Sequence, residues 1–266
     1  MKPPLSKRIA HEIAENRSTF IVYVVLRVLV LVTLVVQLLS QNYENAFLCL
    51  LTLGLLIIPS FIQAQFSIDL PSTLEIIILL FIFAAEILGE IRAFYIIFPF
   101  WDTVLHTLNG FLAAAIGFSL VDILNASKRF SVELSPLFMA ITAFCFSMTI
   151  GALWEIFEYL MDCFAGFDMQ KDTIVHSIAT VTLDPTATNT VVRIDDIRDV
   201  MVNGSSLGLS GYLDIGIHDT MADLIVNLIG AVVFSFFGYF HVKSRGKDRI
   251  ASRFIPVRKK KRDTAA

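Results

Sequence analysis

The chain has 266 residues, 56% of them hydrophobic, against the 45–50% or so usual in soluble domains. Its mean hydropathy is +0.71 and its formal net charge is −3. These values exclude an ordinary soluble enzyme and a basic nucleic-acid binder, and they fit a length absorbed by membrane spans of about 20 residues each. Of the three cysteines, Cys49 and Cys145 lie inside apolar segments, so no disulfide framework is expected.

Residues 1–19 are polar and carry Lys2, Lys7, Arg8 and Arg17, which suits a short cytoplasmic surface segment. Six apolar runs follow. The first, about Phe20 to Leu39, is long enough to span and lacks a small-residue cleavage site, so it is expected to stay as an anchor. A turn from Ser40 to Asn45 leads to the second, about Ala46 to Gln63, with a kink expected at Pro59. The third covers about Leu74 to Phe94, the fourth Trp101 to Leu124, the fifth Pro136 to Met161 and the last Asp219 to Phe240. The fold expected is an all-α polytopic membrane protein of six transmembrane helices. Helices one to five occupy residues 20–161 and helix six residues 219–240. The insertion 162–218 lies between helices five and six on the non-cytoplasmic side, and the basic tail 241–266 closes the chain.

Orientation follows the distribution of lysine and arginine. With the N-terminus in the cytoplasm, 17 of the 21 basic residues fall on the inner side, with Arg27 snorkelling to it; Arg92, Lys171, Arg193 and Arg198 fall outside. Both termini are therefore expected in the cytoplasm and the protein in the plasma membrane. The terminal run Arg258-Lys259-Lys260-Lys261-Arg262 is read as a topology anchor, with no nucleic-acid partner. The insertion, over 50 residues long, is too long for a mere connection. Its eight aspartates and runs such as Thr190 to Ile194 suggest either a mobile acidic loop or a small hairpin-bearing lid. Asn203-Gly204-Ser205 is a glycosylation sequon only if the host glycosylates.

The polar residues inside the runs share one depth. Topology puts the end of run three, the start of four, the end of five and the start of six on the outer side. There stand Glu86 and Glu90, Asp102 and His106, Glu155 and Glu158, and Asp219, Asp223 and Asn227, each set at helical spacing. Ionised side chains in lipid are costly and mark function. Arg92 is the one basic residue near this level within a run, so ion pairs cannot neutralise the set. Protonation or bound cations must do so. Carboxylates with an imidazole suit a divalent ion such as Zn, Mn, Mg or Fe. Blander roles compete: Asp102 and Asp219 as helix N-caps, His106 as a core histidine, Glu86 and Glu90 paired with Arg92, His218 as a solvated rim residue, and Asn227 as interhelical glue. Capping does not account for Glu155 and Glu158, which sit at the negative end of their helix.

Trp101-Asp102-x-x-x-His106-x-x-x-Gly110, Trp154-Glu155-x-x-Glu158-Tyr159 and Asp219-Thr220-x-x-Asp223-x-x-x-Asn227-x-x-Gly230-Ala231 together resemble the YjdF-type inner-membrane proteins. The resemblance covers about Trp101 to Phe240. It implies a polytopic bacterial plasma-membrane protein and supplies no reaction, the family being a domain of unknown function. Neither His-Glu-x-x-His nor Gly-x-Ser-x-Gly occurs, and there is no Gly-rich phosphate loop and no basic phosphate motif on the outer side.

The leading expectation is a metal-dependent membrane hydrolase acting on a lipid or lipid-linked substrate. Asp102, His106, Glu155, Glu158, Asp219 and Asp223 are the expected metal ligands, with Glu86 or His218 as general base. The alternatives are a cation- or proton-coupled transporter using the same carboxylates, and a scaffold or sensor with a structural metal. Transport is disfavoured by a shallow cluster and the lack of an internal repeat.

Overall fold

A computed structural model describes residues 17–66, 68–125, 134–244 and 251–258. Lys2, Lys7, Arg8, Lys128, Arg129 and the basic residues from Lys259 to Arg262 lie outside the described residues. The chain divides into two compact units, one of residues 1–151 and 226–266 and the other of residues 152–225.

In the first unit, α1 (Arg17–Leu39) buries Thr19, Leu26 and Val30. Val22, Tyr23 and Leu34 are half-buried, and most of its other apolar side chains are open, as expected of a helix in lipid (Val32 is 57% exposed). Leu26 and Val30, one turn apart, join Cys49, Leu56, Leu79 and Ile87 in one core cluster. The guanidinium of Arg27 lies 4.2 Å over the ring of Tyr23, one turn earlier on the same helix. Asn42 caps α2 (Tyr43–Leu55) by accepting from the Asn45 amide at 3.1 Å. The helix then breaks at Leu56 and Ile57 and resumes as α3 (Ile58–Phe66). Pro59 is the reason: it has no N–H to continue the ladder, and its fixed φ suits the first turn of a new helix.

Strand β1 (Ile68–Asp69) precedes α4 (Ser72–Phe83), which passes into a π-helical segment, Ala84–Ile91. Ala93, at φ 56°, ends that segment before the short α5 (Phe94–Ile97). Among the described residues, five helical stretches are long and apolar enough to cross a membrane: Arg17–Leu39, Tyr43–Gln63, Trp101–Asn125, Pro136–Ala165 and Ile217–Lys243. The third expected run is not among them. Its α-helical part is 12 residues long, and Glu75, Glu86 and Glu90 interrupt its hydrophobicity.

Helices α6 (Trp101–Asn125), α7 (Pro136–Leu160) and α8 (Ile217–Lys243) supply most of the second core, with Leu112, Ala114, Ala115, Phe118, Met139, Ala143 and Phe234. Leu74 of α4 joins them, and so does Ile255 from the C-terminal tail. Phe254 stands 5.2 Å edge-on to Phe111, which is 5.1 Å from Phe234. The tail strand β8 (Val257–Arg258) pairs antiparallel with β1. The tail thus adds apolar packing to the anchoring role read from its charges.

Within the first unit, α6 and α8 approach until side chains give way to backbone. A Cβ on Gly110 would collide with the Asn227 carbonyl, and one on Gly230 with the Thr107 carbonyl. A Cβ on Gly151 of α7 would likewise come within 2.6 Å of the Asn227 amide nitrogen. Such small-residue contacts are how membrane helices pack without a hydrophobic driving force.

The second unit begins in the last turns of α7, which loosen into a π-helical turn, Met161–Ala165, ended by Gly166 at φ 71°. Six short strands follow: β2 (Ile174–Val175), β3 (Ile178–Thr180), β4 (Val192–Ile194), β5 (Met201–Val202), β6 (Ser205–Ser206) and β7 (Tyr212–Leu213). They pair as β2–β7, β3–β4 and β5–β6, all antiparallel. Asn203 and Gly204, at φ 52° and 83°, form the two-residue turn joining β5 and β6, the positive-φ geometry that Asn-Gly favours.

Candidate metal centre

In the first unit, Asp102 and His106 lie one turn apart on α6, with Asp102 Oδ1 3.5 Å from His106 Nε2. The helix already begins at Trp101, so Asp102 stands inside the first turn and not at the cap position. His106 is buried, at 8% exposure. The indole N–H of Trp101 donates to the Ala84 carbonyl at 3.3 Å and ties the start of α6 to the π-helical segment that carries Glu86.

One turn further along α6 is a polar clamp that the sequence reading met only as interhelical glue at Asn227. The Asn109 amide donates to Asn227 Oδ1 at 3.3 Å, and the Ser147 hydroxyl donates to the Gly110 carbonyl at 2.7 Å. The Asn227 amide also lies 3.5 Å from the Ser147 carbonyl. Asn227 is 1% exposed, so these bonds satisfy groups that would otherwise be costly to bury.

In the second unit, Glu155, Glu158 and Asp223 are buried at 5%, 8% and 4% exposure. The indole N–H of Trp154 donates to Glu158 Oε1 at 3.0 Å and fixes that carboxylate along its own helix. Three further aspartates organise backbone. Asp162 accepts from the amides of Met169 and Gln170 at 2.6 and 2.9 Å, and Asp219 from that of Lys171 at 2.8 Å. Asp214 accepts from Thr173 at 2.6 Å, Gly216 at 3.2 Å and His218 at 2.8 Å. Burial works to raise the pKa of Asp214. The three amides and the His218 charge outweigh it and hold the carboxyl below its ordinary range. Burial and the charges of Asp168, Asp214 and Asp162 push neighbouring Asp172 upward. Segment 169–173 is therefore strapped to the ends of α7 and α8 by carboxylates.

Both units thus carry side chains of the kind that hold metal ions: half-buried Asp102 and buried His106 in the first, and buried Glu155, Glu158 and Asp223 in the second. Hard oxygen donors with an imidazole are a combination suited to Mg, Mn, Fe or Zn. Of the other expected site residues, none is buried to the same degree. Asp219 serves the Lys171 amide, Glu86 is half-buried in the π-helical segment, and His218 is exposed. Asp214 and Asn109 escaped the sequence reading. For Asp214 a signal existed, since Asp-x-Gly just before an apolar helix is a helix-start pattern.

The class is thus a multi-helix membrane protein with buried histidine and carboxylate side chains on its apolar helices. The chain belongs to the family described as predicted membrane protein (DUF2238), which it matches over residues 21–244, in keeping with the YjdF-type resemblance. No curated protein and no solved structure matches the chain.

Proposed function

We propose that this protein is a metal-dependent hydrolase of the plasma membrane, with six membrane-crossing segments, both termini in the cytoplasm and a site open to the outer leaflet. Its substrate class is a lipid headgroup or a lipid-linked molecule. The observation that carries the reading is the burial of one histidine and three carboxylates, His106, Glu155, Glu158 and Asp223, on three apolar helices.

The clamp in the first unit supports it. Gly110, Gly151 and Asn227 meet there, and His106, Glu155 and Asp223 each stand one helical turn from one of them, in every case toward the proposed outer end. Continuous helices carry the convergence of the clamp outward to these three side chains. Asp102, Glu158 and, in the widest version of the site, Asp219 complete the ligand set.

A bound divalent ion supplies charge to polarise a substrate oxygen and to acidify water. The chain's own groups do the rest. Asp102 orients the imidazole of His106, as carboxylates commonly do for metal-binding histidines. Trp154 holds Glu158 in place, and Glu86 or the exposed His218 is the candidate proton acceptor. The small insertion strapped by Asp162, Asp214 and Asp219 is the proposed outer covering.

The six-crossing topology has its own support. Strand β1 leads into α4 and β8 follows α8, so their pairing keeps the beginning of segment 72–91 with the tail. The bond from Trp101 to Ala84 ties the far part of that segment to the start of α6. A segment joined to opposite ends of the helix set in this way crosses the membrane, and its short π-helical, glutamate-bearing character is then a functional feature.

The test is turnover of labelled lipids by purified protein, with and without added Mn, Mg or Zn, beside ion flux in proteoliposomes. Metal-dependent release of a headgroup supports the reading. Ion flux without turnover overturns it in favour of transport.

A further inference from the structure

The first unit holds a second feature that the metal site does not use. The first turns of α7 and the last turns of α8 enclose an apolar groove of about 380 Å³. Ala140 and Ser235 form its floor, at 8% and 9% exposure, and Leu137 and Phe236 stand along its walls. The small floor residues keep it open; a leucine at either place would close it. The Ser235 hydroxyl has no hydrogen-bond partner.

The open end of the groove is different in kind. Tyr239 lines it, and Lys243, one turn on, holds its ammonium 5.5 Å over the Tyr239 ring. Helix α7 begins at this same end and turns its positive dipole end toward it. From Val232 to Phe240 the groove follows α8 for about 12 Å, and Lys243 beyond its end brings the reach to about 16 Å, close to half of a roughly 30 Å hydrocarbon core. Its length is therefore that of one leaflet, and its charge lies where a phosphate would. A partner helix, about 10–12 Å across with its side chains, would enter it only by a row of side chains. An acyl chain fits it.

We propose that this groove binds one anionic phospholipid of the leaflet that Lys243 faces, with an acyl chain along Ala140 and Ser235 and the phosphate at Lys243. Tyr239 stands between them, at the depth of the glycerol esters, with its hydroxyl as donor. The site lies at the opposite end of α7 and α8 from the histidine–carboxylate set, so it anchors or tunes the helices and takes no part in the proposed chemistry.

The test uses the full chain in nanodiscs containing phosphatidylglycerol and phosphatidylcholine of identical chains, followed by native mass spectrometry of the lipids retained on extraction. The wild type is expected to retain one phosphatidylglycerol in preference to phosphatidylcholine by about fivefold, the worth of one lysine at a membrane surface. Lys243→Gln, outside the packed core, should abolish that preference and leave total retention intact. Ala140→Trp, which fills the groove, should lower retention of both lipids. Equal retention of the two lipids by the wild type, or unchanged preference in Lys243→Gln, overturns the proposal. So does a dimer cross-linked through cysteines placed at Leu137 and Phe236, because a second copy would then occupy the groove.

Discussion

The side-chain amide of Asn227 comes within 2.6 Å of where a Cβ on Gly151 would stand. Asn227 also accepts from Asn109, and its carbonyl leaves no room for a side chain on Gly110. One asparagine therefore sets the spacing of three helices, and the proposed ligands follow from that spacing.

Gly151→Leu should then damage both stability and metal binding. Overpacking a closed contact costs about 1–3 kcal/mol, and the displaced helix would carry Glu155 away from His106. Gly54→Ala is the control: a Cβ at Gly54 meets nothing within 4 Å, and in a helix alanine gains up to about 1 kcal/mol over glycine. Thermal unfolding in detergent with parallel elemental analysis checks both. Equal behaviour of the two variants would contradict the clamp.

Trp154→Phe keeps the ring and removes the N–H that reaches Glu158. Loss of such supporting hydrogen bonds typically weakens metal affinity by about 10–100-fold. The variant should fold normally and need correspondingly more metal to saturate, measured by titration with Mn or Zn. Unchanged affinity would remove Glu158 from the ligand set.

Asp184 gives the insertion a pH dependence. Its carboxylate accepts from the amides of Thr186, Thr188 and Thr190, each at 2.9 Å, and from the Thr186 hydroxyl at 2.6 Å. These bonds, led by the Thr186 hydroxyl, hold its pKa well below the ordinary carboxylate value of about 3.9. A depressed value means that the contribution is complete above about pH 4 and is lost as pH falls further toward the folded-state value. Hydrogen-exchange protection of residues 184–190, corrected for intrinsic rates, should hold from pH 7 to 5 and decline below 4. Asp184→Ala should lack it throughout.

The pairing of Asp69 with Val257 predicts a cross-link. Paired strand positions lie about 4.5–5.5 Å apart, within disulfide range. With Cys49, Cys145 and Cys163 replaced by serine, Asp69→Cys with Val257→Cys should oxidise readily, and an impermeant maleimide should reach both reduced thiols from the same side. Labelling from opposite sides would defeat the six-crossing topology.

Much of this architecture was legible because apolar runs of membrane length have few alternatives. The runs at Phe20, Trp101, Pro136 and Asp219 reappear as long helices, and the break beside Pro59 follows from a missing N–H. The polar stripes on runs four, five and six were legible by helical spacing alone, and His106, Glu155, Glu158 and Asp223 of those stripes are buried. The π-helical turn at Ala84–Ile91 was not, since no residue type there dictates five-residue hydrogen bonding. Nor was the work of Asp162, Asp214 and Asp219 on backbone amides, which depends on loop contacts distant in sequence. The burial of Ile255 in a tail read for its charges was masked by the lysines and arginines around it.

The central claim is a metal ion at His106 and its carboxylates. Elemental analysis of purified protein should find a divalent ion in the wild type at near-stoichiometric amount. It should find little in Glu155→Gln with Glu158→Gln, and little in His106→Ala. Metal content equal across wild type and variants, or absent from all after loading with Mn, Mg, Fe and Zn in turn, would contradict the account.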